Sequence, residues 1–185
     1  MKSVVEDIAQ TALKETVQYR KAMGFCEYVR LERQMGIMVG CVGSGKTTVL
    51  RKFAAWSAGS HYIQCMPAMP TGALLWQIAR AAGITVNGTR YHRTQQIAHT
   101  LSRRDDLVLL FDDAAQLCRG NPSGLQTLNR LWDETKTPMI FADTPDIRRY
   151  AQSIRPEVLV YEFDISLRGC KERTPTHSML CERRD

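Results

Sequence analysis

The chain has 185 residues, enough for one domain with a sizeable core and too few for two comfortable ones. Apolar residues at 44% and charged residues at 24% are ordinary for a soluble globular protein, and no apolar run approaches the roughly 20 residues that cross a bilayer. A net charge of +6 leans toward an acidic partner such as nucleic acid.

In chain order, Ser3-x-x-Glu6 reads as a capping box. Val5, Ile8, Ala12 and Tyr19 follow at helical spacing, which predicts an amphipathic helix over residues 4–23 ending near Gly24. Residues 25–33 are ambiguous. Tyr28 and Val29 stand either in the core or against the base of a bound nucleotide.

A short apolar run over residues 36–39 predicts the first strand. It leads into Gly40-Cys41-Val42-Gly43-Ser44-Gly45-Lys46-Thr47, which fits G-x-x-x-x-G-K-[ST]. The glycines let the backbone curl so that successive N–H groups point at phosphate oxygens. Lys46 reaches the β- and γ-phosphates, the Thr47 hydroxyl ligates Mg²⁺, and Thr48 lies in the same first turn. A helix over residues 48–56, with Val49, Leu50, Phe53 and Trp56 on one face, turns its positive end toward the anion.

Residues 61–65 read as the second strand, and Pro67 and Pro70 end it. Thr71 is the expected N-cap of a helix over residues 73–82, closed by Gly83. After the Asn87-Gly88 turn, Ile97 and Leu101 mark a helix over residues 93–103, and Arg90, His92, Arg93, Arg103 and Arg104 crowd this region. His92 and His99 lack a thiol or carboxylate at ligand spacing and are expected to be surface histidines.

Residues 107–111 form a continuous apolar run ending in Asp112-Asp113, as a strand buried on both faces should. Such a strand delivers its last side chains to the crevice at the carboxyl edge of a parallel sheet. Asp112 is then placed to hold Mg²⁺ opposite Thr47, and Asp113 to orient or deprotonate the attacking water. Residues 125–135 predict a helix carrying Arg130. Residues 138–142 predict a strand followed by Asp143-Thr144-Pro145, where Thr144 is the candidate for touching the γ-phosphate. Arg148 and Arg149 line the next helix, residues 158–163 form a last strand, and the tail beyond Leu167 shows no apolar periodicity. The six cysteines carry no C-x-x-C pair, and nothing in the first residues resembles a signal peptide, so free thiols in a cytoplasmic protein are expected.

Strands alternating with helices predict a mainly parallel, three-layer αβα fold of the P-loop NTPase type. The organisation expected is an N-terminal helix (1–24), a nucleotide-binding domain (25–167) and a polar tail (168–185). The phosphate loop, the Thr71-Gly72-Ala73-Leu74-Leu75-Trp76-Gln77-Ile78-Ala79 helix, Asp112-Asp113-Ala114-Ala115-Gln116-Leu117 and Phe141-Ala142-Asp143-Thr144-Pro145-Asp146-Ile147 together resemble a family. It is that of the AAA+ ATPases assisting DNA transposition, of the phage Mu B and Tn7-type target-selection kinds, and the resemblance covers roughly residues 20–167.

The resemblance implies ATP and Mg²⁺ as ligands, a homo-oligomer on duplex DNA, and a transposase partner. It maps the catalytic glutamate onto Asp113, the sensor residue onto Thr144, and a trans-acting arginine finger onto Arg148 or Arg149, with Arg130 behind them. Arg90, Arg93, Arg103 and Arg104 would form the DNA surface, contacting phosphates rather than bases. Three features depart from the family. Asp113 is one methylene shorter than glutamate, which predicts slow hydrolysis; no helical lid is legible after Leu167; and no N-terminal helix-turn-helix is legible. Two other classes remain open: an ATPase acting on a protein partner of the secretion-associated kind, and a catalytically weak truncated copy.

Overall fold

A computed structural model describes residues 17–118, 123–149 and 157–163. The expected capping box, the residues 4–16 of the first helix, and the tail fall outside them.

Helix α1 (Val17–Leu31) leads into β1 (Met35–Val39), α2 (Lys46–Trp56) and β2 (Ser60–Gln64). Helices α3 (Thr71–Ala81) and α4 (Arg90–Leu101) precede β3 (Val108–Asp112), a short 3₁₀ turn (Ala114–Leu117), α5 (Ser123–Thr135), β4 (Met139–Asp143) and β5 (Leu159–Glu162). The five strands form one sheet in the order β2-β3-β4-β1-β5, and every pairing is parallel. The chain thus has the predicted three-layer αβα fold.

Alternation along the strands divides the core in two. Ile37, Val39, Leu109, Phe111, Met139 and Phe141 point to the face covered by α3, α4 and α5. Met38, Val108, Leu110, Ile140 and Ala142 point to the face covered by α1 and α2. The three central strands β1, β3 and β4 are almost wholly buried, which explains why they read as continuous apolar runs.

Several expectations are corrected. The first helix does not stop at Gly24 but runs through it to Leu31. A side chain at Gly24 would meet nothing within 4 Å, so the glycine faces open space. Its helix penalty of about 1 kcal/mol is outweighed by burial of Ala22, Cys26 and Val29 on the opposite side. Residues 25–31 are therefore helical. Val29 is a core residue against Gly36, where an added Cβ would lie 2.6 Å from its Cγ2. Tyr28 points outward.

Thr71 is not a cap. Pro70 takes the N-cap position, and the Thr71 hydroxyl instead meets Ser123 Oγ at 2.9 Å, joining α3 to α5. Helix α4 starts at Arg90, because Thr89 Oγ1 accepts a hydrogen bond from the His92 backbone N–H. Trp56 leaves the buried face of α2; it stands 67% exposed at the helix end beside Phe53.

Candidate nucleotide site

Parallel strands bring all their carboxyl ends to one edge, so the phosphate loop after β1 and the acids after β3 emerge side by side. Only β4 lies between them. Just before these strand ends the rings of Phe111 and Phe141 stack at a centroid distance of 5.1 Å.

The loop has the backbone that its glycines predicted. Gly43 and Gly45 adopt φ of 81° and 102°, the left-handed region where a Cβ is costly. Gly40 is required for a different reason: a Cβ there would lie 2.8 Å from Ser44 Oγ and 2.9 Å from Phe163 Cβ. The Gly45 carbonyl accepts the first α-helical bond of α2, from Val49 N, so the preceding turn presents its amides at a helix N-terminus. Lys46 folds back into this cradle. Its Nζ donates to Gly40 O at 2.7 Å, Cys41 O at 2.8 Å and Ser44 Oγ at 3.3 Å.

Burial pushes the Lys46 ammonium below its ordinary pKa, while the carboxylates of Asp143, Asp112 and Asp113 pull it back up. One cation therefore feels all three acids. Thr47 is exposed in the first turn of α2, with Thr48 half-buried behind it and Val42 and Gly43 open to solvent.

Asp112 is 2% exposed and held by two donors: Tyr62 Oη donates to Oδ2 at 2.7 Å, and the Asp113 amide donates to Oδ1 at 3.2 Å. Burial and this bond push the Tyr62 hydroxyl up to about 12. Asp113 is exposed and left-handed at φ 53°, a conformation aspartate tolerates better than most side chains.

The residue that sequence reasoning passed over is Asp143. It ends β4 level with Val39 at the root of the loop. Its Oδ2 accepts from Ala115 N at 2.6 Å, and its Oδ1 accepts from Thr144 N at 2.6 Å and Thr144 Oγ1 at 3.0 Å. Thr144 thus reaches the crevice tied to this carboxylate. A signal existed: Asp143 is the last residue of its apolar run, in the same position as Asp112 in the earlier one.

A family model for the AAA domain matches residues 29–151. The chain belongs to the AAA domain family. No curated protein matches the chain. Among solved structures, this AAA domain is similar to Cdc6p from Pyrobaculum aerophilum, with a TM-score of 0.56, 23% identity, and coverage of 70% of this chain and 38% of that one. It is also similar to a chain of Drosophila ORC bound to DNA (TM-score 0.58, 11% identity, 79% and 88% covered). A third similar structure is the replication initiator DnaA bound to AMPPCP and single-stranded DNA (TM-score 0.53, 13% identity, 82% and 46% covered). At these identities the likeness is one of fold. The AAA domain spans well under half of the Pyrobaculum protein and about half of a Drosophila ORC–Cdc6 chain.

Other anticipated residues of the AAA domain lie apart from the crevice centre or are already engaged. Arg148 donates to Glu162 Oε2 at 2.9 Å, on the strand end beside Val39, whereas Arg149 is exposed. Arg130 pairs with Glu134 one helical turn on. The four arginines expected to face DNA do not form one compact patch. Arg104 is locked to Asp106 by two bonds, and Arg93 donates to Gly88 O while its guanidinium lies over Trp76. Arg90 is exposed at the first residue of α4, and Arg103 is exposed in the turn two residues beyond its last, Leu101. Cys26, Cys41, Cys65 and Cys118 are free thiols.

Among the described residues no helix is long and apolar enough to cross a membrane.

Proposed function

We propose that this AAA domain binds ATP with Mg²⁺, hydrolyses it slowly, and assembles as a homo-oligomer on duplex DNA to assist a transposase in selecting its target. The observation that carries the nucleotide part is the position of Lys46, inside the glycine cradle and within the field of Asp112, Asp113 and Asp143.

Arriving phosphate oxygens would replace the loop carbonyls and Ser44 Oγ as partners of the Lys46 ammonium. The amides from Cys41 to Thr48 would cradle the remaining oxygens, in a loop whose close turn at Gly40 packs against Ser44 and Phe163. A hydroxyl and one carboxylate, Thr47 and Asp112, are the hard oxygen donors that suit Mg²⁺, which takes its remaining ligands from phosphates and water. Bound Mg²⁺ would neutralise charge developing on the phosphates. Asp113 would orient the attacking water, Thr144 would touch the γ-phosphate, and Arg149 is better placed than Arg148 to act on a neighbouring subunit.

The DNA part is supported by the charge of +6, by the exposed Arg90 and Arg103, and by the resemblance to transposition ATPases. One fold neighbour, Drosophila ORC, is described as bound to DNA, and another, DnaA, as bound to single-stranded DNA. Binding to mixed-sequence duplex DNA, with and without a non-hydrolysable ATP analogue and across a salt series, tests this. A steep salt dependence only with nucleotide is expected. Flat, nucleotide-independent binding would favour the ATPase that works on a protein partner.

A further inference from the structure

We propose that Tyr62 is a positioning residue for the Asp112 carboxylate, acting in a two-tier clamp between α2 and the sheet; this rests on Asp112 holding Mg²⁺ as proposed above. Tyr62 pairs in register with Leu110, and Leu110 and Asp112 share one face of β3, so Tyr62 and Asp112 lie diagonally on that face. The diagonal is within reach of an aromatic side chain, and the phenol spans it to donate to Asp112 Oδ2 at 2.7 Å.

Helix α2 faces the same side of the sheet. Thr47 and Arg51 are four residues apart on it, one above the other on one helical face. The upper tier would be Thr47 and Asp112 across the proposed Mg²⁺. In the lower tier, the Arg51 guanidinium carbon lies 5.1 Å from the centre of the Tyr62 ring. The lower contact ties the helix to the strand beside β3. The phenol then sets the rotation of a carboxylate that is 2% exposed and whose other oxygen is fixed by the Asp113 amide. Tyr62 touches neither metal nor nucleotide in this arrangement; it holds the group that does. An edge-strand tyrosine that merely packs would need no hydroxyl, and this one directs its hydroxyl at the one carboxylate buried among the described residues.

The test is the Mg²⁺ concentration giving half-maximal binding of a fluorescent, non-hydrolysable ATP analogue to the full chain. Parallel titrations in excess chelator report metal-free nucleotide binding and intact folding. Tyr62→Phe keeps the ring beneath the Arg51 guanidinium and removes the hydroxyl that donates to Asp112. The expected result is a midpoint raised on the order of tenfold, the low end of the effect of outer-shell partners on metal affinity. Metal-free binding stays at the wild-type level. Asp112→Asn should raise the midpoint further, and adding Tyr62→Phe to it should change little, because the hydroxyl acts through that carboxylate.

A wild-type midpoint in Tyr62→Phe, beside a shifted one in Asp112→Asn, overturns the clamp and leaves the metal site standing. An Asp112→Asn midpoint equal to wild type removes the metal role of Asp112 and the clamp with it. Loss of metal-free binding in Tyr62→Phe assigns the hydroxyl to general stability and overturns the positioning role.

Discussion

The carboxyl edge of the sheet and the α4 surface both carry several charged residues, and the fold treats them in opposite ways. At the edge, acids far apart in the chain converge: Asp112 and Asp143 are separated by a helix and a strand, yet both act on Lys46. Around α4, arginines that are near neighbours in the chain disperse: Arg93 and Arg104 into local bonds, Arg90 to the helix start and Arg103 to the turn beyond its end. Parallel strands focus their termini on one line, whereas an exposed helix distributes its side chains around and along a cylinder. Sequence proximity is thus a poor guide to a surface patch, and topology is a good one to a crevice.

The bluntest attempt to break the edge is Lys46→Ala, which removes the cation common to all three acids. Nucleotide affinity should fall by about 10–100-fold, from the 1.5–3 kcal/mol typical of a charge-assisted bond, measured by fluorescent-nucleotide titration. Retained affinity would mean that the cradle is not the site.

Next in size is Asp113→Glu, which restores the missing methylene. Single-turnover hydrolysis should quicken on the order of tenfold, a fraction of what a well-placed general base supplies. An unchanged rate would show that the shorter acid is not what limits turnover. Gly40→Ala tests the cradle without touching a charge. Its methyl group has no room beside Ser44 and Phe163, so stability should drop by about 1–3 kcal/mol in denaturant unfolding, with nucleotide binding impaired as well.

For the helix surface, Arg90→Ala should lower the slope of DNA affinity against salt by about one unit. Arg104→Ala, already neutralised by Asp106, should change it less. Equal effects would restore the four-arginine patch that the geometry disperses.

The smallest expected effect concerns two buried thiols. Burial pushes Cys26 and Cys65 up to about 12 from an ordinary value near 9. Because the folded pKa is the higher one, their contribution to stability is complete below pH 9 and is lost as pH rises toward 12. By pH 10 each should cost about 1 kcal/mol, and Cys65→Ala should flatten the decline in denaturant midpoint.

The phosphate loop, the apolar strands and the alternating order of elements were legible because each depends on local chemistry. Glycines, one lysine and runs of Val, Ile, Leu and Met carry their meaning within a few residues. The reading failed where a distant partner decided the outcome. Gly24 looked like a stop signal until the burial of Ala22, Cys26 and Val29 is considered. Thr71 looked like a cap until Ser123 claimed its hydroxyl. Asp143 has no role in the sequence reading, where only its neighbour Thr144 is singled out; its place is set by Ala115, from the segment after another strand, which donates to it.

The sequence by itself determined the fold class and the cradle's residues, because hydrophobic period and backbone freedom are properties of short segments. Only the tertiary structure decided which acids share Lys46, which arginines remain open to a partner, and that Tyr62 holds Asp112. Those pairings join residues 50 or more positions apart in several cases, and their distances follow from strand order and register rather than from spacing along the chain.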